Sequence, residues 1–215
     1  MIRAYHKIYL ENARNNLGRV LAFATYDLGY DPHTFFDLFM KSGLAKQFEK
    51  GDFHVTVGMS GVELASRVLE MTKDQAECPQ PRYSADRSPE YWAGWALAYY
   101  QWETALTFAD ILKCVPLDEI IRMYSSYHEM DIRQFCDRMN ELYRISNPET
   151  KLKQMRQRAG MSQSELAEQS GVPVQTIQQY EQRQKSINMA QAEYLVMLAN
   201  ALHCKAEDLI EHIGW

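Results

Sequence analysis

The sequence predicts an all-α protein built as two domains, and three observations predict it. Apolar residues recur at helical spacing through most of the 215 residues. Helix-capping pairs stand at the heads of these stretches: Asp31-Pro32, Ser60 with Glu63, Ser88-Pro89, and Ser162 with Glu165. A short polar linker, Ile145-Ser-Asn-Pro-Glu-Thr150, divides an acidic N-terminal stretch from a neutral C-terminal one. The expected organisation is an N-terminal helical domain over residues 1–145, a linker at 146–149, and a five-helix domain over 150–215.

In chain order, Leu10, Ala13, Leu17, Val20, Leu21 and Ala24 form one apolar stripe. They predict a helix from about Lys7 to Leu28, ended by Gly29. Asp31 and Pro32 restart a helix whose inner side carries Phe35, Phe36, Phe39 and Met40. Gly43 and Gly51 bracket a shorter helix, Leu44 to Lys50. From Asp52 to Met59, Phe53, Val55 and Val57 alternate with His54 and Thr56, which is strand-like. No partner strand is evident, so an extended loop is expected there. Ser60 and Glu63 then cap a helix that uses Leu64, Ala65, Val68 and Leu69. Residues 72–87 are polar, contain Pro79 and Pro81, and read as a surface loop.

The segment from Tyr91 to Trp102 is the most aromatic in the chain. Trp92, Trp95, Tyr99 and Trp102 share one side of a helix, while Ala93, Gly94, Ala96 and Ala98 allow another helix to approach closely. Two readings stay open. One is a central core helix. The other is a groove for a ligand or partner peptide made by Arg87, Tyr91, Trp92, Trp95, Tyr99 and Trp102, rimmed by Arg82, Tyr83 and Asp86 of the preceding loop. Short helices over Thr107 to Cys114 and Pro116 to Tyr124 follow, then one from Asp131 to Tyr143 with Ile132, Phe135, Met139 and Leu142 inward.

The C-terminal third carries the clearest motif. Ser162 and Glu165 cap a short helix with Leu166 and Ala167 inward, Gly171 allows a tight left-handed turn, and Val172 packs. Pro173 forbids continuation, and Val174, Ile177, Tyr180 and Glu181 give a second helix its inner side. Its other side is Gln175, Thr176, Gln178 and Gln179, polar side chains long enough to reach base edges. Asn188 is expected to cap a helix from Met189 to Leu202, and Lys205 to Ile210 forms the last one. Trp215 at the terminus is a candidate dimer contact.

This segment resembles the DNA-binding domain of the lambda-repressor-like, Cro-like helix-turn-helix family. The resemblance rests on Leu152, Met155 and Arg156, on Ser162-Gln163-x-Glu165-Leu166-Ala167, and on Gly171-Val172. It extends through Ile177-x-x-Tyr180-Glu181, through Leu195, Leu198, Ala199 and Leu202, and through Asp208-Leu209. It departs from the family at Pro173, where a small hydroxyl residue is common, and at Arg183, where glycine often ends the helix. The resemblance implies a bacterial or phage regulator that binds double-stranded operator DNA as a homodimer. It places Gln163 on a phosphate and Gln175 and Gln179 on base edges in the major groove. Thr176 would meet a phosphate or a thymine methyl, Gln178 the groove wall, and Arg183 and Lys185 the backbone. The N-terminal stretch, with Arg87-Ser-Pro-Glu-Tyr-Trp-Ala-Gly-Trp-Ala96, resembles a group of all-α domains in bacterial helix-turn-helix proteins. Some of these are thought to be encoded beside toxin-like genes. The alternative it implies is an antitoxin, which would hold a cognate toxin protein through that domain and repress its own operon.

Charge agrees once it is divided. Residues 1–149 hold 16 basic and 21 acidic residues, residues 150–215 hold 7 of each, and residues 150–185 hold 6 basic to 3 acidic. The positive excess is therefore local to the motif. No apolar run is long enough for a membrane span and no leader is evident, so a cytoplasmic protein is expected. Four scattered cysteines without a Cys-x-x-Cys pair argue against a zinc or disulfide framework. Single histidines, among them His33 near Asp31 and Asp37 and His128 beside Glu129, lack the spacing of a metal set. No phosphate-binding glycine loop or nucleophile elbow is present, so neither an enzyme nor a cofactor is expected.

Overall fold

Capping chemistry sets where the helices begin. The structure, a computed structural model, describes residues 3–73, 79–81 and 87–213. The chain divides into two compact units, Met1–Tyr143 and Arg144–Trp215. Among the described residues the regular elements are all helical, and none is long and apolar enough to cross a membrane.

In the first unit a 3₁₀ turn, Lys7–Tyr9, leads into α1 (Leu10–Tyr26). The Asp31 carboxylate accepts from the Thr34 N–H to cap α2 (Pro32–Lys41), with Pro32 at the first helical position. Next come α3 (Leu44–Glu49) and a single-turn α4 (Phe53–Thr56). At α5 (Gly61–Thr72) the capping box is complete: the Ser60 hydroxyl accepts from Glu63 N–H, and the Glu63 carboxylate accepts from Ser60 N–H at 2.7 Å. Ser88 caps α6 (Pro89–Thr104) and Thr107 caps α7 (Phe108–Cys114). Helices α8 (Leu117–Arg122), α9 (Tyr124–Tyr127) and α10 (Ile132–Ser146) follow.

Helix α1 is the axis of this unit and packs on α6 and α5. Glycines make the closest approaches. A Cβ on Gly94 would lie 2.5 Å from the Leu17 carbonyl oxygen, and one on Gly18 would lie 2.7 Å from that of Tyr91. Phe36, Phe39, Phe48 and Phe108 form a cluster of edge-to-face and tilted pairs with centroids 5.4–6.2 Å apart.

Two expectations are corrected here. The stretch at 52–59 is not extended. The Asp52 carboxylate accepts from His54 N–H and starts α4, burying Val55 and Thr56, and the Asn16 amide donates to the carbonyls of Thr56 and Met59 at its end. Local capping outweighs the alternation, because an unpaired strand leaves its backbone groups unsatisfied. Trp102 is core rather than groove. It is 1% exposed, and its indole N–H donates to the Tyr5 carbonyl at 2.8 Å. The loop residues Arg82, Tyr83 and Asp86, with Cys78 and Trp215, lie outside the described residues.

In the second unit Thr150 caps α11 (Lys151–Arg158), and α12 (Gln163–Ser170), α13 (Val174–Glu181) and α14 (Ala192–Ala201) follow. A 3₁₀ turn, Ala206–Leu209, takes the place of the fifth helix. The core is Leu152, Leu166, Val172, Ile177, Tyr180, Ile187, Leu198, Ala199, Leu202 and Leu209, so every element contributes to it. Asn188 does not cap α14, which starts three residues later than expected. Its amide instead pairs with the Glu211 backbone, accepting from Glu211 N–H at 2.8 Å and donating to the Glu211 carbonyl. This tethers the segment after the 3₁₀ turn.

Candidate nucleic-acid interface

The geometry of the second unit is set by the turn between α12 and α13. The Ser162 hydroxyl and Glu165 carboxylate close a full capping box at the head of α12. Gly171 ends that helix at φ 73, a left-handed conformation that costs glycine little. Val172 is buried, and Pro173 precedes α13 without any side-chain cap on the helix.

Helix α13 then has two unlike faces. Ile177, Tyr180 and Glu181 are buried. At about 100° per residue, Gln175 and Gln179 fall at the middle of the opposite face, with Gln178 and Thr176 on its two flanks. Gln175 is exposed, while Thr176, Gln178 and Gln179 are half-buried.

The sequence places Glu181 on the inner side of the helix but does not give its partner, Arg156. The Glu181 side chain is 2% exposed, and it receives both Nε and Nη2 of Arg156, at 2.7 and 2.9 Å. The third Arg156 nitrogen donates to the Met161 carbonyl at 2.6 Å. Hydrogen bonding to Glu181 raises the Arg156 pKa, which holds the guanidinium in its charged form. The carboxylate also accepts from the Gln163 amide at 2.8 Å. One carboxylate thus ties α11, the head of α12 and the end of α13 together. The available signal was a glutamate on the inner side of an apolar helix, which calls for a buried cation.

The remaining expected residues separate. Arg183 takes φ 60, the left-handed conformation glycine would have supplied, and its Nη2 donates to the Asn147 carbonyl at 3.1 Å. Lys185 is exposed just past α13, its N–H donating to the Gln179 carbonyl.

Residues 152–209 match the helix-turn-helix family model of the Cro and C1 type. The C-terminal unit is a helix-turn-helix domain. The match spans a little over a quarter of the chain. No curated protein and no solved structure matches the chain. Helix-turn-helix domains of this type bind DNA in transcriptional regulators and are not catalytic modules, so the chain is at this level a DNA-binding regulator. Helix α13 is the second helix of the helix-turn-helix motif, the one that in such motifs enters the major groove.

Proposed function

We propose that this chain is a sequence-specific repressor that reads double-stranded DNA with α13 and represses its own promoter as a homodimer. The carrying observation is the pair Gln175 and Gln179, one turn apart on the outer face of a helix whose inner face is fixed by Ile177, Tyr180 and the Glu181–Arg156 pair. A glutamine can donate and accept at once, which suits the N6 and N7 edge of adenine. Thr176 and Gln178 flank the readers, and Lys185 follows them along the backbone. Gln163 stands at the head of α12, where N–H groups favour a phosphate, and its bond to Glu181 orients it there. Arg183 holds the turn after α13 through Asn147 and so positions Lys185. Two copies would address half-sites about 34 Å apart, one turn of DNA.

The test is a gel-shift titration on the DNA upstream of the gene at two salt concentrations, with a Gln175→Ala/Gln179→Ala variant alongside. Each lost base contact is worth about 1–3 kcal/mol, so the double variant should bind the operator at least about 30-fold more weakly and random DNA unchanged. Unaltered operator binding by the variant would remove both glutamines from the reading.

A further inference from the structure

Arg87, Tyr91, Trp92 and Trp95 of the expected groove line a cavity of about 180 Å³ in the N-terminal unit, and Tyr99 and Trp102 do not. The helix-turn-helix domain holds a different feature. The loop that follows α13 is tied at two points to residues 147–151, where the domain begins.

The first tie is Arg183. It takes φ 60, a conformation that costs glycine little and a residue with a Cβ more. Lys73, Ala105 and His203 take a similar φ, each just past a helix, so the conformation alone assigns nothing. Arg183 adds a bond to it: Nη2 donates to the Asn147 carbonyl at 3.1 Å, across 36 residues of chain. Asn147 follows directly on α10, which begins in the N-terminal unit. A glycine would supply the turn without that bond.

The second tie is Asn188. Its amide matches the Glu211 peptide in both directions, accepting from the N–H at 2.8 Å and donating to the carbonyl at 2.5 Å. An aspartate would lack the donor and an alanine both groups. The Glu211 carboxylate in turn accepts from the Lys151 N–H at 2.7 Å, one of the N–H groups at the head of α11 that the helix itself leaves over. Leu209 and Ile213 on either side are buried, so the segment carrying Glu211 is anchored independently of Asn188.

Between the ties the loop closes on the reading helix. The N–H groups of Gln184 and Lys185 both donate to the Gln179 carbonyl, at 2.9 and 3.1 Å. Hydrogen bonds and a few residues of chain thus connect Asn147 and Lys151 to Gln179.

We infer that Arg183 and Asn188 are positioning residues that couple DNA binding to the linker. DNA held by α13 and its following loop fixes residues 147–151. An event in the N-terminal unit that draws the linker away weakens DNA binding by the same factor, because coupling between two sites is reciprocal. The inference rests on the proposed reading of DNA by α13.

The test is amide hydrogen exchange on the full-length chain, with and without a duplex of the DNA upstream of its gene. The N–H groups of Lys151 and Glu211 are themselves donors in the second tie, so they report on it directly. The duplex should slow their exchange by about fivefold or more. Arg183→Gly keeps the turn and removes the first tie; in it the slowing should fall to about a third or less of the parent's, and the duplex should bind more weakly. Unchanged amides of Ile177 and Leu198 in the free variant mark an intact core; if they lose protection, Asn188→Ala takes its place, read at Lys151. A merely structural bond would alter exchange in the free chain and leave the effect of DNA as it was, so equal slowing in parent and variant overturns the inference. Slowing within α13 without any at Lys151 and Glu211 overturns it too, and leaves the DNA reading standing. No slowing in α13 either removes that reading, and this inference with it.

Discussion

Replacing Glu181 by alanine removes the carboxylate that joins three helices of the helix-turn-helix domain, and the cost follows from its surroundings. The side chains of Glu181 and Arg156 are 2% and 11% exposed, and two hydrogen bonds join them. Without the carboxylate, the Arg156 guanidinium keeps its bond to the Met161 carbonyl in a site largely shielded from water. Breaking a buried pair from one side costs about 3–5 kcal/mol, because the remaining charge is uncompensated. A unit of this size is stable by roughly 4–11 kcal/mol at about 0.05–0.15 kcal/mol per residue, so the variant should lose about a quarter of that or more. Hydrogen exchange on the full-length chain reads the loss directly. The amides of Ile177 and Leu198, in the domain core, should exchange about 150- to 4,000-fold faster. A second variant separates charge from volume. Glu181→Leu with Arg156→Met leaves no unpaired charge and should recover most of the protection, since apolar replacement of a buried pair is often neutral or stabilising. A loss under about 1 kcal/mol in the single variant, or a double variant no better than the single, would refute the reasoning.

Two further predictions concern the N-terminal unit. Gly94→Ala places a methyl 2.5 Å from the Leu17 carbonyl oxygen; such overpacking costs about 1–3 kcal/mol and should lower the Tm followed by tryptophan fluorescence by roughly 3–10 °C. At Glu49, burial raises the carboxyl pKa above the ordinary glutamate value, against the smaller opposing effect of the Phe108 N–H that it accepts at 2.6 Å. A raised carboxyl pKa means that stability is fully present below the unfolded value and is lost as pH rises through the folded one. Glu49→Gln keeps an oxygen for Phe108, so denaturant unfolding should find it more stable than the parent at pH 7, with the difference shrinking as pH falls below the ordinary glutamate range.

Helices were legible where a short-range code writes them. Asp31, Ser60, Ser88 and Ser162 all accept from the N–H expected of a cap, because capping depends on residues within one turn. The small residues of α6 announced a close helix neighbour, but only the structure identifies it as α1 at Gly18, since that choice is made across more than seventy residues of chain. Residues 52–59 misled because alternation over five residues has the same appearance in a strand and in a single helical turn. The start of the helix expected from Met189 was misplaced for a related reason. Asn188 is a good cap, and here it is drawn off by the Glu211 backbone, a partner 23 residues away. In the aromatic helix Trp102 lies in the core and Trp95 in a cavity wall. Sequence spacing puts both on one side of α6, and which neighbour covers each is a tertiary fact.

The same tertiary facts change how the domain's positive charge is to be counted. Residues 150–185 carry six basic side chains, yet Arg156 is bound to Glu181, Lys153 lies 2.8 Å from Glu149, and Arg183 donates to Asn147. Lys185 and Arg158 are exposed. Under the proposed reading, a monomer then neutralises only two or three phosphates, which gives a salt slope near −2 to −3 at about −0.9 per phosphate, doubled in a dimer. Non-specific binding, which rests on that term, should then be weak at physiological salt. Discrimination must come from neutral side chains, whose hydrogen bonds release no counterions. The two salt concentrations of the gel shift therefore do separate work. Affinity should fall with salt equally for the parent and the double glutamine variant, and the ratio between the two should stay constant. A ratio that collapses with salt would mean that the glutamines act through the backbone rather than through base edges.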